Sequence, residues 1–158
     1  MSHYRRLWVP GGAYFFTVVT YKRTPFFENP AHVNLLRTAF RKVRARRPFV
    51  IDAVVVLPDH LHCIWRLPEG DADYAGRWRE IKKFVTPKAL SAAPFWQRRF
   101  REHTIRSETD WRRHVDYIHY NPVRHGLAEQ PGAWRWSSFA RCVERGWYEP
   151  HWGMSEPE

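Results

Sequence analysis

Phe49-Val50-Ile51-Asp52-Ala53-Val54-Val55-Val56-Leu57-Pro58-Asp59-His60-Leu61-His62-Cys63-Ile64-Trp65-Arg66-Leu67 is the stretch from which the fold is read. Residues 49–57 form a near-continuous apolar, β-branched run, the composition of a central strand covered on both sides. Pro58-Asp59 is a tight-turn signal, and residues 60–67 return as the neighbouring strand, so the pair makes a hairpin in the middle of a sheet. Alternation along the second strand sends His60 and His62 to one face and Leu61 to the other. Two imidazoles side by side can chelate a metal, although a His-x-His in a strand is more often a pair of surface or satisfied core residues.

Working outward, residues 13–21 are aromatic and β-branched and read as a first strand. Between residues 30 and 47, Val33, Leu36, Phe40 and Val43 fall at helical spacing, with Arg37, Arg41, Lys42, Arg44, Arg46 and Arg47 mostly elsewhere around the wheel. A second amphipathic helix over residues 74–85 carries Trp78, Ile81 and Val85 and ends at Pro87. Residues 89–94 read as a small-residue loop, and residues 95–105 as a fourth strand. Ser107 with Glu108 and Asp110 behind it marks the start of a further helix over residues 108–120, which Asn121-Pro122 ends. The segment 134–152 is aromatic and basic without a period, and no structure is assigned to it.

The order strand, helix, strand, strand, helix, strand is that of an α+β fold, a ferredoxin-like sandwich with one antiparallel sheet and helices on one face, followed by the additional helix. One domain spans residues 1–158: a basic arm at 1–12, the sheet and its helices at 13–105, the further helix at 107–122 and an extension at 123–158. With 158 residues a real core is affordable without staples.

Lys and Arg number 26 against 16 Asp and Glu, a formal charge of +10 that points to a polyanion partner, nucleic acid first. Aromatics interleave with arginines at Arg77-Trp78-Arg79, Trp96-Gln97-Arg98-Arg99-Phe100 and Trp134-Arg135-Trp136, a pattern suited to stacking unpaired bases, although most of the nine Trp rings belong in the core. Two cysteines, Cys63 and Cys142, exclude a disulfide framework and a four-Cys zinc site and read as cytosolic usage. No run approaches the ~20 apolar residues of a membrane span, and the N-terminus lacks the apolar core of a signal peptide.

A catalytic metal on His60 and His62 needs another ligand and open positions. Asn121 could supply an oxygen from a facing helix, a set that suits Mg²⁺ or Mn²⁺ on a phosphate better than a closed zinc site. Cys63 is on the wrong face to join, while His103, His114 or His119 could be recruited by the fold. His114, Tyr117 and Asn121 lie three and four residues apart and so line one helical face, from which the neighbouring Tyr120 is rotated away. A tyrosine there could attack a phosphodiester and store its bond energy as a phosphotyrosine.

Residues 55–65, Val-Val-Leu-Pro-Asp-His-Leu-His-Cys-Ile-Trp, residues 77–84, Arg-Trp-Arg-Glu-Ile-Lys-Lys-Phe, and residues 117–127, Tyr-Ile-His-Tyr-Asn-Pro-Val-Arg-His-Gly-Leu, together resemble the REP-associated tyrosine transposases of the HUH single-tyrosine superfamily. The resemblance runs over nearly the whole chain. It implies His60 and His62 as metal ligands, Tyr117 as nucleophile, and Asn121 as the third ligand where insertion-sequence relatives carry Gln. It further implies a divalent cofactor, Mg²⁺ or Mn²⁺, and a single-stranded DNA substrate with an imperfect palindromic hairpin and a 5′ guide sequence. Tyr4, Arg5 and Arg6 would contact the guide, and Arg77, Lys82 and Lys83 the DNA backbone. That branch implies a monomer working in the cytoplasm at the nucleoid. Two other readings predict different behaviour: a non-catalytic DNA- or RNA-hairpin-binding protein needs no divalent ion, and a zinc-stabilised domain unfolds on chelation.

Overall fold

A computed structural model describes residues 11–88 and 95–154. The strand that carries the histidine pair, β3 (His60–Arg66), lies inside a four-stranded antiparallel sheet. Its neighbours are β1 (Ala13–Val19) and β2 (Val50–Leu57), and β4 (Arg101–Thr104) adds to the far side of β1, giving the order β2-β3-β1-β4. With α1 (Pro30–Arg46) between β1 and β2 and α2 (Tyr74–Lys88) between β3 and β4, this is the ferredoxin-like arrangement expected.

One expectation needs correcting: β2 is an edge strand, and β3 and β1 are the central ones. The apolar run of β2 still has its cause, because helices cover both of its faces and residues 136–138 cover its outer side. Val56 N–H donates to the Trp136 carbonyl (2.8 Å), Ser138 N–H donates to the Val54 carbonyl (2.9 Å), and Trp134 Nε1 reaches the Val56 carbonyl (3.0 Å). Over Val54–Val56 the edge is therefore closed to pairing with another chain.

Helices occupy both faces of the sheet rather than one. On one side α1 and α2 bury Phe16, Leu61, Cys63 and Trp65 with Leu36, Phe40, Trp78 and Ile81, and the Trp65 and Trp78 rings stack at 4.4 Å. On the other, α3 (Glu108–Arg124) lays Val115 and Ile118 on Ala53, Val55 and Ile64. A 3-10 turn, Pro131–Ala133, precedes the segment assigned no structure, and that segment forms a short helix, α4 (Phe139–Glu144), whose Phe139 and Cys142 join the second core.

Two proline signals read as stops are crossed. The last turn of α2 includes Pro87, and α3 runs through Asn121-Pro122 to Arg124. A proline costs a helix one N–H and some crowding, and Pro122 is buried in α3 all the same. The actual stop is Gly126, at φ +71°. Gly126 N–H bonds the Val123 carbonyl and Leu127 N–H the Pro122 carbonyl, the paired bonds of a Schellman cap. Asn121 is therefore a helical residue in register with Tyr117.

Candidate functional site

The register of the sheet sets the site. His60 and His62 lie opposite Val19 and Thr17 of β1 and opposite Leu57 and Val55 of β2, with both side chains on the α3 face and only 6% and 4% exposed. Their rings are 4.9 Å apart. Asp59, the turn residue, accepts a hydrogen bond from His60 Nδ1 at 2.6 Å and another from Arg23 Nη1 at 3.2 Å. A carboxylate only accepts, so Nδ1 carries the proton and the lone pair of His60 sits on Nε2. His62 Nδ1 lies 2.9 Å from Thr17 Oγ1, which leaves its Nε2 facing inward with no partner.

Burial pushes the His62 imidazole down to about 3, aided by the nearby His60 and His125 rings, and burial likewise lowers His60 against the pull of Asp59. Burial pushes the Asp59 carboxyl up, but hydrogen bonds from His60 and Arg23 outweigh it and hold Asp59 below the usual carboxylate range. The pair is thus neutral at physiological pH, the state a metal ligand requires.

From α3, the Tyr117 ring stands 5.2 Å from the His62 ring and 38% of the residue is exposed, open to a substrate. Phe15 fills the space behind, 5.4 Å from His62 and 6.0 Å from Tyr117. One turn on, Asn121 is fully buried and neither Oδ1 nor Nδ2 has a hydrogen-bond partner. Another turn on, the exposed His125 ring lies 5.4 Å from His60. Asn121 falls between these two contacts on one helical stripe, above the histidine pair. The residues present fit a divalent ion: two imidazoles with lone pairs on Nε2 and an amide oxygen.

The three histidines that the fold could have recruited, His103, His114 and His119, do not join. His119 lies behind the helix, its Nε2 2.8 Å from Ser138 Oγ and its Nδ1 3.1 Å from the Tyr148 hydroxyl. His103 and His114 gather around Asp110, at 2.8 and 3.2 Å. These three form a group that could itself hold a metal, although each is already hydrogen-bonded. The helical spacing of Asp110 and His114 is visible in sequence; the approach of His103 from β4 is not. Sequence reasoning also missed Arg23, placed by a turn in which Lys22 and Arg23 take φ of +54° and +53°, and His125, whose only signal was its spacing of four from Asn121.

Of the basic residues expected on DNA, Arg77 is corrected. It is 1% exposed, and all five of its N–H groups are engaged with Asp71, the Asp73 carbonyl and the Arg47 and Pro48 carbonyls. It ties α2 to the end of α1 and has no donor for a phosphate. The Lys82 ammonium is half-buried over the Trp96 and Phe100 rings, whereas Lys83 is exposed. Tyr4, Arg5 and Arg6 lie outside the described residues.

A ferredoxin-like sheet whose inner strand presents a His-x-His pair to a tyrosine on a covering helix defines the HUH single-tyrosine class. Comparison with known proteins narrows this. No family model matches the chain. It is 50% identical over 152 residues to the REP-associated tyrosine transposase of Escherichia coli K12, covering 96% of this chain and 91% of that one. A Haemophilus influenzae relative, assigned provisionally to the same family, is 40% identical over 166 residues, 97% of this chain and 94% of that one. A solved structure of a REP-associated tyrosine transposase bound to a REP hairpin is 47% identical, covers 100% of this chain and 96% of that one, and superposes with a TM-score of 0.86. The chain belongs to the REP-associated tyrosine transposases.

Proposed function

We propose that the chain is a metal-dependent endonuclease and strand transferase for single-stranded DNA, acting on an imperfect palindromic hairpin with a 5′ guide sequence. The observation that carries this reading is a set of buried polar atoms without partners, His62 Nε2 with Asn121 Oδ1 and Nδ2, on the face where Tyr117 is open. Such atoms cost about 1–3 kcal/mol each when left unsatisfied, so a ligand is their natural explanation. His60, His62 and Asn121 would hold Mg²⁺ or Mn²⁺, which supplies Lewis-acid polarisation of the scissile phosphate.

Tyr117 Oη attacks phosphorus, the bond from phosphorus to the 3′ oxygen breaks, and the phosphate becomes a 5′-phosphotyrosine. The phenol loses one proton and the departing 3′ oxygen gains one, so none is consumed overall. Attack by a 3′ hydroxyl on this ester restores the phenol and joins two strands without an external energy source. The hairpin bound by the relative of known structure supports the substrate assignment. The protein acts as a monomer in the cytoplasm, at the nucleoid.

The test incubates a labelled hairpin oligonucleotide carrying its single-stranded 5′ extension with Mn²⁺ or Mg²⁺. A covalent adduct resistant to denaturant is expected, lost in Tyr117→Phe while hairpin binding persists, and lost with chelator. An adduct that survives in Tyr117→Phe overturns the nucleophile, and undiminished cleavage in chelator overturns the metal. Binding without any adduct under all conditions favours the non-catalytic hairpin-binding reading.

A further inference from the structure

Across the sheet face that carries the histidine pair, α3 meets one more histidine, on the edge strand β4. His103 is paired with Phe15 of β1, so its ring stands beside Phe15 on the α3 side. From the first two turns of α3, Asp110 and His114 reach the same place. His103 Nε2 lies 2.8 Å from Asp110 Oδ2, His114 Nδ1 lies 3.2 Å from Asp110 Oδ1, and the two imidazoles stack at 4.6 Å. Among the described residues, these form the one group of three or more His, Cys, Asp or Glu side chains whose ligand atoms lie within 4.8 Å of one another. The group is separate from the histidine pair of β3. His114 precedes Asn121 by seven residues, about 10 Å of helix. The Phe15 ring stands between, 4.7 Å from His114 and 5.4 Å from His62.

The spacing suits an ion. Around a tetrahedral zinc with bonds of about 2.0–2.1 Å, neighbouring ligand atoms lie about 3.3 Å apart, and the Asp110 oxygens stand near that separation from the two imidazole nitrogens. Asp110 is also held independently of the histidines, since its Oδ2 accepts from the Arg106 N–H at 3.0 Å and its own N–H donates to Ser107 Oγ at 3.1 Å. His103 Nε2 donates to the carboxylate, and His114 Nδ1 to the Asp110 carbonyl at 2.8 Å. As a ligand each neutral ring keeps its proton on its other nitrogen, so an ion displaces two hydrogen bonds and no net proton. All three side chains are partly exposed, which gives an ion a path from solvent and leaves positions for water. Two imidazoles and a carboxylate select zinc and its first-row neighbours over Mg²⁺, which prefers oxygen ligands and dehydrates reluctantly. We infer that His103, Asp110 and His114 form a second metal site, which takes Zn²⁺ and ties β4 to the first two turns of the helix that carries Tyr117.

The test titrates Zn²⁺ by calorimetry into the full chain freed of metal by a chelator, and repeats the titration with Co²⁺, whose visible absorption reports its ligands. Wild type is expected to bind one more equivalent than His103→Gln or His114→Gln, each substitution weakening that equivalent at least about 10-fold. Zn²⁺ should also raise the melting temperature of wild type more than that of either variant. Millimolar Mg²⁺ should leave this equivalent bound, and His60→Gln should retain it. His103 is on an exposed edge and a Gln amide there can still donate to Asp110, so the fold is not at stake, and unchanged circular dichroism checks this. Equal zinc stoichiometry and affinity in wild type and both variants, displacement by Mg²⁺, or loss of the equivalent in His60→Gln overturns the site. None of these readouts uses DNA or Tyr117, so this site and the proposed reaction stand or fall separately.

Discussion

At the scale of single residues, Asp59 decides which nitrogen of His60 is available. By accepting from Nδ1 it fixes the tautomer and aims Nε2 at the space shared with His62. Asp59→Ala is expected to lower Mn²⁺ affinity roughly 10- to 100-fold, read by calorimetric titration, with Asp59→Asn retaining much of it through its amide oxygen. Equal affinities for wild type and Asp59→Ala would remove Asp59 from the site. The facing of His60 and His62 was legible because strand alternation is geometric. The role of Asp59 was not, since an Asp in a turn ordinarily bonds nearby backbone. Arg23 is 36 positions away from Asp59, delivered by a left-handed turn that no residue type announces.

At the scale of elements, α3 and α2 show where local signals mislead. Asn121-Pro122 reads as a helix stop, yet packing on the sheet carries the helix one turn further, and that turn brings His125 to His60. Gly126 ends it, and a methyl group there would meet nothing within 4 Å, so its cost is conformational only. Gly126→Ala is expected to lose about 1 kcal/mol in urea unfolding, without the larger loss that a clash would bring. Arg77 misled in the opposite sense. In Arg77-Trp78-Arg79 it looks like a phosphate contact, but the helical turn that buries Trp78 also buries Arg77. Arg77→Met should cost roughly 2–4 kcal/mol, because Asp71 and three carbonyls lose their donors, while the salt slope of hairpin binding stays as in wild type. A changed slope with unchanged stability would restore the phosphate role.

At the scale of the whole molecule, the sheet separates two cores, and the second depends on a segment whose sequence carries no period. Residues 134–148 attach through isolated anchors rather than a repeating stripe. Tyr148 donates to Asp116 at 2.7 Å and accepts from His119 Nδ1, His119 Nε2 accepts from Ser138, and Ser138 Oγ accepts from Val54 N–H. No spacing rule links positions so far apart, which is why this layer was illegible while the βαββαβ order was plain. The chain of bonds requires neutral His119, and burial, with the charges of Arg112 and Arg141, holds it down to about 3. His62 is held at a similar value. Both groups have folded values below the ordinary 6.5, so the unfolded chain binds more protons as pH falls. Their stabilisation is complete above about pH 6.5 and is lost progressively down to about pH 3, at up to about 1.4 kcal/mol per pH unit for each. The depressed carboxylates Asp59, Asp71 and Asp110 act below the ordinary carboxylate value, so between pH 6 and roughly 4.5 the histidines dominate the slope. Urea unfolding of wild type and His119→Gln across that window should show the variant with a slope lower by about 1 kcal/mol per pH unit, whatever its absolute stability. Identical slopes would mean that His119 is already protonated in the folded state across that window, and would overturn the neutral-histidine chain.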